Sequence, residues 1–338
     1  MRKFLFSLIL TALIAVSTTT SFKKTYSASA SAQSEIAMEL STGTVLKEGN
    51  ADARLPMAST TKILTAIIII EDCNLDEVIT VPDEAVGVEG SSIYLKNEEQ
   101  ISVKDLVYGL MLRSGNDSAT ALALHHSGNI ENFAQAMNER AKKAGAENSN
   151  FKNPSGLPDD EHYTTARDLC KIACYAMKNS LFKEVVSTTN YKGEYRNFVN
   201  KNKMLYKYDG ANGVKTGYTL KAGRCLVSSA ERNGMDVVCV VLNCYDMYEH
   251  SCKVFDYCFA NYKLLNLEDN KIFMCERVPC KLEISKVNVV KCKGNINFRV
   301  KPLEVKTAIK KGDYIGDLEI YSENNLLFSE KLYSIIDV

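Results

Sequence analysis

Gly213-Val214-Lys215-Thr216-Gly217-Tyr218-Thr219 is the stretch on which the reading of this chain turns. Its core triplet, Lys215-Thr216-Gly217, occurs once in 338 residues and lies on a predicted strand. Two further strands are predicted behind it, Cys225–Ala230 and Met235–Leu242. Asn233-Gly234 joins them, a dipeptide suited to a tight antiparallel turn because both positions tolerate positive φ. A cation next to a hydroxyl, followed by a residue without a side chain, suits an edge strand that grips a carboxylate. Gly217 would let a peptide backbone lie against the strand.

Two other short patterns complete the constellation, and context separates them from decoys. Ser-x-x-Lys occurs four times, at Ser21, Ser59, Ser149 and Ser180. Only Ser59-Thr60-Thr61-Lys62 opens a long apolar helix, through Ile63–Ile70. Spacing of i, i+3 then sets Ser59 and Lys62 on one face, one turn apart. Ser114-Gly115-Asn116 falls in a break between two predicted helices, where a turn can present side chains to a cleft. Ser127-Gly128-Asn129 has a plainer reading, since Gly128 ends one helix and Asn129 caps the next.

These residue types suit nucleophilic catalysis. A serine hydroxyl is a weak nucleophile and requires a base within hydrogen-bond reach. Lys62 can serve only when neutral, and burial together with a second cation such as Lys215 moves its pKa in that direction. Ser114 would shuttle a proton to the leaving amine, and Asn116 would hold Lys62 and a substrate amide. The main-chain N–H groups of Ser59 and Tyr218 would form an oxyanion hole, aided by the helix N-terminus at Ser59.

Outward from the site, Glu35–Leu40 and Thr44–Leu46 around Ser41-Thr42-Gly43 read as a hairpin. Ser102 with Asp105, and Thr165 with Asp168, resemble capping boxes that open helices to about Arg113 and Lys178. Helices are also predicted from Asp117 to His126, from Asn129 to Gly145, and from about Tyr248 to Tyr262. Past Leu265 the chain changes to short alternating segments such as Lys281–Val290 and Asn295–Val300. The expected organisation is a segment 1–32, a mixed α+β domain over 33–265, and a small all-β domain over 266–338.

Residues 1–32 read as a secretory leader: Arg2 and Lys3, an apolar run Phe4–Val16, then a small-residue exit at Ser27–Ala32. The whole chain carries 41 basic and 41 acidic side chains. The leader holds four of the basic ones and no acid, so its removal leaves 37 against 41, a net of −4. A neutral to mildly acidic chain argues against a nucleic-acid partner. Beyond the leader no apolar run approaches the roughly 20 residues of a membrane span. The 11 cysteines show no metal-like spacing, and most fall in apolar runs, so they read as small buried hydrophobes. His162 and His250 read as surface or core residues, and no His-Glu-x-x-His or Gly-x-Ser-x-Gly is present.

The three patterns together resemble those of penicillin-binding proteins and serine β-lactamases. Longer matches resemble the D-alanyl-D-alanine carboxypeptidase family of low-molecular-mass penicillin-binding proteins. They are Arg54-Leu55-Pro56-Met57-Ala58-Ser59-Thr60-Thr61-Lys62, Ser114-Gly115-Asn116-Asp117, Asn153-Pro154-Ser155-Gly156-Leu157 and Gly213–Thr219. The resemblance covers roughly residues 34–265 and, more weakly, the tail. It implies an antiparallel sheet built from both ends of the catalytic domain and flanked by helices, followed by a sandwich-like β domain. It also implies attack by Ser59 on the terminal D-Ala-D-Ala bond of a peptidoglycan stem peptide, hydrolysis of the acyl-enzyme, and covalent inhibition by β-lactams. No metal or cofactor is implied. Catalysis would rest on Ser59, Lys62, Ser114 and Asn116, and substrate binding on Lys215, Thr216, Gly217 and Tyr218.

The chain departs from the family pattern in two places. Members often carry an arginine just after the strand equivalent to Met235–Asn243, whereas this chain reads Cys244-Tyr245-Asp246-Met247. That leaves a second carboxylate-binding residue unassigned. The end, Ser334-Ile335-Ile336-Asp337-Val338, does not resemble an amphipathic C-terminal membrane anchor. The competing readings are a serine β-lactamase and a non-catalytic cell-wall or β-lactam-binding module. The Glu-x-x-x-Asn of the commonest lactamase class is missing between Asn116 and Lys215, with Thr165 where Glu161 would need its Asn. The intact trio argues against the idle module.

Overall fold

A computed structural model describes residues 32–267, 271–283, 286–292, 294–303 and 308–338. The leader reading falls, apart from Ala32, outside those residues.

The chain enters through β1 (Ser34–Glu39) and β2 (Val45–Gly49). A 3₁₀ turn, Ala58–Thr61, then runs into α1 (Lys62–Asp72). A short pair, β3 (Val78–Thr80) with β4 (Gln100–Ser102), precedes α2 (Val103–Tyr108). The Ser102 hydroxyl caps α2 by accepting from the Asp105 N–H at 3.0 Å, as its spacing implies. That helix continues as a π-helical turn, Gly109–Arg113, into α3 (Asn116–Ser127) and α4 (Ile130–Lys143). Gly128, at φ 76°, closes α3, and the Asn129 side chain caps α4 at 2.7 Å. Next come α5 (Ala166–Met177), capped by Thr165, and α6 (Ser180–Ser187), capped by Asn179.

Two three-residue strands, β5 (Asn190–Lys192) and β6 (Asn197–Val199), lead through α7 (Met204–Lys207) to the sheet's second half. That half is β7 (Ala211–Thr219), β8 (Gly223–Arg232) and β9 (Met235–Leu242), followed by α8 (Met247–Asn261). Positive φ at both Asn233 and Gly234 makes the predicted hairpin turn. The main sheet is antiparallel with order β2-β1-β9-β8-β7. Chain start and chain middle thus share one sheet, because β1 pairs β9 from Ser34↔Leu242 to Glu39↔Val237. All eight residues of β9 are buried, as a central strand covered on both faces should be.

Alternation splits β9 between two cores. Val238, Val240 and Leu242 face the layer formed by α1 and α5, while Val237, Cys239 and Val241 face α8. Apolar α1, with Ile63, Leu64, Ile67 and Ile68 at most 1% exposed, runs through the larger core. The cysteines pack as read: Cys170, Cys225, Cys239 and Cys258 are buried thiols. Burial pushes the Cys225 thiol up to about 11, which leaves it unreactive.

Past α8, β10 (Tyr262–Leu267) spans the expected boundary at 265/266 and later pairs with β13 (Lys286–Lys291). A second antiparallel sheet, of order β11-β12-β16-β15-β14, is formed by β11 (Phe273–Cys275), β12 (Val278–Leu282), β14 (Ile296–Pro302), β15 (Tyr314–Ser322) and β16 (Asn325–Ser334). It has its own apolar core, with Leu318, Ile320 and Leu332 fully buried. The all-β texture expected of the tail is present.

One ion cluster ties α8 to the sheet. Glu35 on β1 holds His250 of α8 and Lys47 of β2. The His250 hydrogen bond, seconded by Lys47, holds the Glu35 carboxyl down to about 2 despite its burial. A carboxyl depressed in the folded state stabilises above its unfolded pKa and loses that contribution as pH falls through the folded one. The thermal midpoint should therefore drop between about pH 4.5 and 2. In Glu35→Gln that part of the profile should flatten, with a loss on the order of 1 kcal/mol at neutral pH after solvent screening. Thermal unfolding of both proteins across that range checks it.

Candidate active site

The site lies where the turn before α1 meets edge strand β7. Gly217 makes this approach possible. A Cβ there would stand 3.0 Å from the Met57 carbonyl oxygen and 3.1 Å from the Ser59 nitrogen. The sequence reading reserved the space over Gly217 for a substrate backbone, but the chain's own 57–60 turn already lies within contact distance of it.

Lys62 sits at the head of α1, one turn from Ser59, and is fully buried. Its Nζ donates to Ser59 Oγ at 3.0 Å, Asn116 Oδ1 at 2.7 Å and the Ser155 carbonyl at 2.6 Å. An ammonium would donate to all three; the neutral amine gives its two hydrogens to Asn116 and Ser155 and turns its lone pair to Ser59 Oγ, whose hydroxyl then donates. Desolvation, then the nearby Lys215 charge and more weakly Lys201, pull its pKa well below the ordinary lysine value, against the raising effect of Asp117. A neutral lysine 3.0 Å from a serine hydroxyl is a base positioned to take its proton.

The Ser114–Asn116 turn is held from several sides. Ser114 has left-handed backbone, φ 66°, where the π-helical turn ends. The Asn116 backbone N–H donates to the Ser91 carbonyl at 2.7 Å, and its Nδ2 donates to the Glu89 carbonyl. Asp117 is buried and accepts from the backbone N–H groups of Ile93, Leu95 and Ser118. That carboxylate pins the 91–95 loop onto α3 and so fixes Asn116 against Lys62.

The third support is the Asn153–Leu157 turn. Asn153 Oδ1 accepts from the N–H groups of Ser155, Gly156 and Leu157. This side chain-to-backbone turn aims the Ser155 carbonyl at Lys62. Pro154 O accepts from Thr65 Oγ1 at 2.7 Å, docking the same turn on α1. Gly156 has φ +85°, and a Cβ there would fall 1.9 Å from the Ala58 carbonyl oxygen. His162, read as surface or core, is a core residue behind this turn. Its Nδ1 accepts from the Lys152 N–H at 3.0 Å, so its Nε2–H donates to Thr61 Oγ1 at 2.9 Å. Burial pushes the imidazole down to about 4, which keeps it neutral in this role.

All eight residues singled out from sequence converge here. Ser59, Ser114, Thr216, Gly217 and Tyr218 line a cavity of about 730 Å³, together with Lys201 and Arg224. Lys62, Asn116 and Lys215 lie buried beneath or beside its floor. Lys215 is only 2% exposed, and burial, with the nearby Lys201 charge, pushes its pKa down to about 7. The sequence missed the Ser155 carbonyl, a main-chain group that no residue identity announces. It also left Arg224 and Lys201 without a role. Among the described residues no group of His, Cys, Asp or Glu could hold a metal ion, and no helix is long and apolar enough to cross a membrane.

A serine activated by a lysine, beside an edge strand bearing Lys-Thr-Gly, defines the class: a serine acyl-transfer enzyme with the penicillin-binding protein and serine β-lactamase architecture. Comparison with known proteins narrows it. The family profile described as D-alanyl-D-alanine carboxypeptidase, Peptidase_S11, matches residues 19–245. A D-alanyl-D-alanine carboxypeptidase of Streptomyces sp. strain K15 is 39% identical over 228 residues, covering 61% of this chain and 78% of that protein. The D-alanyl-D-alanine carboxypeptidase DacF of Bacillus subtilis is 29% identical over 90% of this chain and 85% of its own length. Among solved structures, penicillin binding protein 5 of Haemophilus influenzae superposes with a TM-score of 0.72 at 27% identity, over 90% of this chain and 97% of that one.

The chain belongs to the D-alanyl-D-alanine carboxypeptidase family. It is a serine-type D-Ala-D-Ala carboxypeptidase, a hydrolase of cell-wall metabolism.

Proposed function

We propose that Ser59 attacks the peptide bond between the last two D-alanines of a peptidoglycan stem pentapeptide, releases D-alanine, and is freed by water. Neutral Lys62 takes the Ser59 proton as the tetrahedral intermediate forms. The Ser59 and Tyr218 N–H groups receive the developing oxyanion, a type of contact worth about 10²–10³ in rate per donor. Ser114 returns the proton to the departing amine, and Asn116 holds both Lys62 and the substrate amide. Lys215 and Thr216 bind the carboxylate end of the substrate, which lies along β7. No metal or organic cofactor enters this chemistry.

The observation that carries this reading is the single contact between Lys62 Nζ and Ser59 Oγ at 3.0 Å, with Lys62 fully buried. Hydrolysis of β-lactams is the weaker alternative. The Glu161 carboxylate, 72% exposed on its side chain, pairs with Lys152 and lines no part of the cavity. β-Lactams act instead as covalent inhibitors at Ser59. Residues 33–265 form the catalytic unit and 266–338 a separate β-rich unit. The leader at 1–32 directs export, so the enzyme works on the cell-wall side of the cytoplasmic membrane, secreted or held by an uncut leader.

Incubating the protein with a stem pentapeptide, with and without penicillin, tests the assignment. Tetrapeptide plus free D-alanine, blocked by penicillin, is the expected result. A cross-linked product with no free tetrapeptide would make the enzyme a transpeptidase, and rapid destruction of penicillin would make it a lactamase.

A further inference from the structure

We propose that a second cavity, set between the β1–β2 hairpin and the C-terminal ends of α4 and α5, binds a phosphate monoester that carries an apolar substituent. The proposal goes beyond the acyl-transfer reading and does not depend on it.

The cavity holds about 420 Å³, the size of a small-molecule site. Met38, Leu40 and Cys174 supply apolar lining, and its cations are all lysines: Lys143, Lys171 and Lys178. It is separate from the reaction cavity. Tyr175, which also lines it, donates through its hydroxyl to Glu71 at 2.8 Å, nine residues after Lys62 on α1. At 1.5 Å of rise per residue, that is about 14 Å along the helix. The hairpin lies at the edge of the main sheet opposite β7.

Lysines at helix ends commonly satisfy the last carbonyls, but here the main chain does most of that. Gly145, at φ +85°, lets the Ala146 N–H donate to the Ala141 carbonyl and its own N–H to the Lys142 carbonyl, both at 2.9 Å. Helix α5 closes in the same manner, the Lys178 N–H donating to Tyr175 and the Asn179 N–H to Ala176. Only Lys171 caps with its side chain. Its Nζ donates to the Gly145 carbonyl at 2.8 Å, which fixes one ammonium in the cavity wall. Lys143 Nζ lies 5.9 Å from the centre of the Tyr175 ring, and Lys178 is exposed.

The acids around these lysines are already committed. Glu71 accepts from Tyr175 and Arg140, and Asp72 pairs with Arg140. Asp52, which feels the Lys171 charge, is held by Arg167. Glu39, at the base of the hairpin, accepts from the N–H and hydroxyl groups of both Ser41 and Thr42. Among the described residues no carboxylate pairs with Lys143, Lys171 or Lys178. Three like charges around one hollow repel until an anion enters, and a carboxylate would match only one of them. A phosphate monoester brings about −1.5 to −2 charges at neutral pH and three acceptor oxygens. Lysine ammoniums bind such a group as point charges. The apolar lining then receives the esterified substituent.

The test is calorimetric titration of the full chain at constant ionic strength with hexyl phosphate, inorganic phosphate and hexanoate. Hexyl phosphate should bind at least about 10-fold more tightly than either of the others, since burial of even two methylenes is worth that much. Lys143→Gln/Lys178→Gln removes the two charges that make no hydrogen bond to the fold. It should weaken hexyl phosphate by about 5- to 20-fold, while Lys143→Arg/Lys178→Arg should retain most of the affinity. Labelling by fluorescent penicillin should be unchanged in both variants, and prior acylation with penicillin should leave hexyl phosphate binding intact. Dihexanoyl phosphatidic acid, kept below its aggregation threshold, separates the sources. Tighter binding than hexyl phosphate marks a lipid ligand and weaker binding a soluble ester; both uphold the site. No binding of hexyl phosphate, equal binding of hexanoate, or full affinity in the Gln variant would overturn the proposal. So would loss of binding on acylation, which would put the ligand in the reaction cavity instead.

Discussion

Lys62→Ala is expected to slow acylation of Ser59 by about 10⁴-fold or more, for peptide and penicillin alike. Removing one member of a nucleophile–base unit typically costs about as much as removing the unit. The fold should survive, because burial already disfavours the charged form of Lys62 and among the described residues it carries no ion pair. Its replacement leaves the Ser155 carbonyl and Asn116 Oδ1 without their shared donor, a cost of about 1–3 kcal/mol per buried orphan at most. The pH profile gives a second check. The neutral amine is the active form, so kcat/KM in the unaltered enzyme should fall as pH drops through the Lys62 pKa, which lies well below 10.5. Linkage fixes the sign for stability too. The folded state binds fewer protons at this residue than the unfolded chain, so its contribution to stability grows as pH rises from the folded pKa towards 10.5. Lys62→Ala should lose both dependences. Penicillin acylation rates and thermal midpoints between pH 6 and 10 measure them; an unchanged acylation rate would remove Lys62 from the mechanism.

Gly156→Ala should produce the other large effect, through geometry alone. The added Cβ would meet the Ala58 carbonyl at 1.9 Å, and φ is +85°. Left-handed strain and overpacking cost about 1–3 kcal/mol each, so the thermal midpoint should fall by several degrees. Relief requires the 153–157 turn to retreat from the 3₁₀ turn that carries Ser59. The Ser155 carbonyl then withdraws from Lys62, and a displacement near 1 Å costs about 10²-fold in rate. Gly43→Ala is the control, since Gly43 also has positive φ, +69°, but meets nothing within 4 Å. It should show a smaller stability loss and unchanged D-alanine release. Equal activity losses in the two variants would show that crowding at Ala58 is not the cause.

The two variants mark the line between what was legible in the sequence and what was not. Local rules carried the caps at Ser102, Asn129 and Thr165, the Asn233-Gly234 turn and the apolar identity of α1, because each depends on a few neighbouring residues. The pairing of Ser59 with Lys62 followed from helical spacing, although the first turn is 3₁₀ and α1 proper begins at Lys62. Strands of three residues, such as β3 to β6, are too short to display a period. The α6 signal was available, with Asn179 as cap and Leu181, Phe182, Val185 and Val186 spaced to bury one face, but Ser180 was weighed only as a decoy nucleophile. Tertiary facts were out of reach. That Lys215 is nearly sealed from solvent depends on chain crossings no local pattern encodes. The function of Ser155 belongs to its carbonyl, so its only advertisement was the Asn153 and Gly156 pair that shapes the turn. The strand across 265/266 continues from α8 without a compositional break at its start.

The central claim is that Ser59, activated by Lys62, forms the acyl-enzyme. Its most direct measurement is mass mapping of the full chain after reaction with penicillin and proteolytic digestion. The account predicts one adduct, on the peptide carrying Ser59, and its loss in Ser59→Ala. An adduct on any other residue, or one that persists in Ser59→Ala, would contradict it.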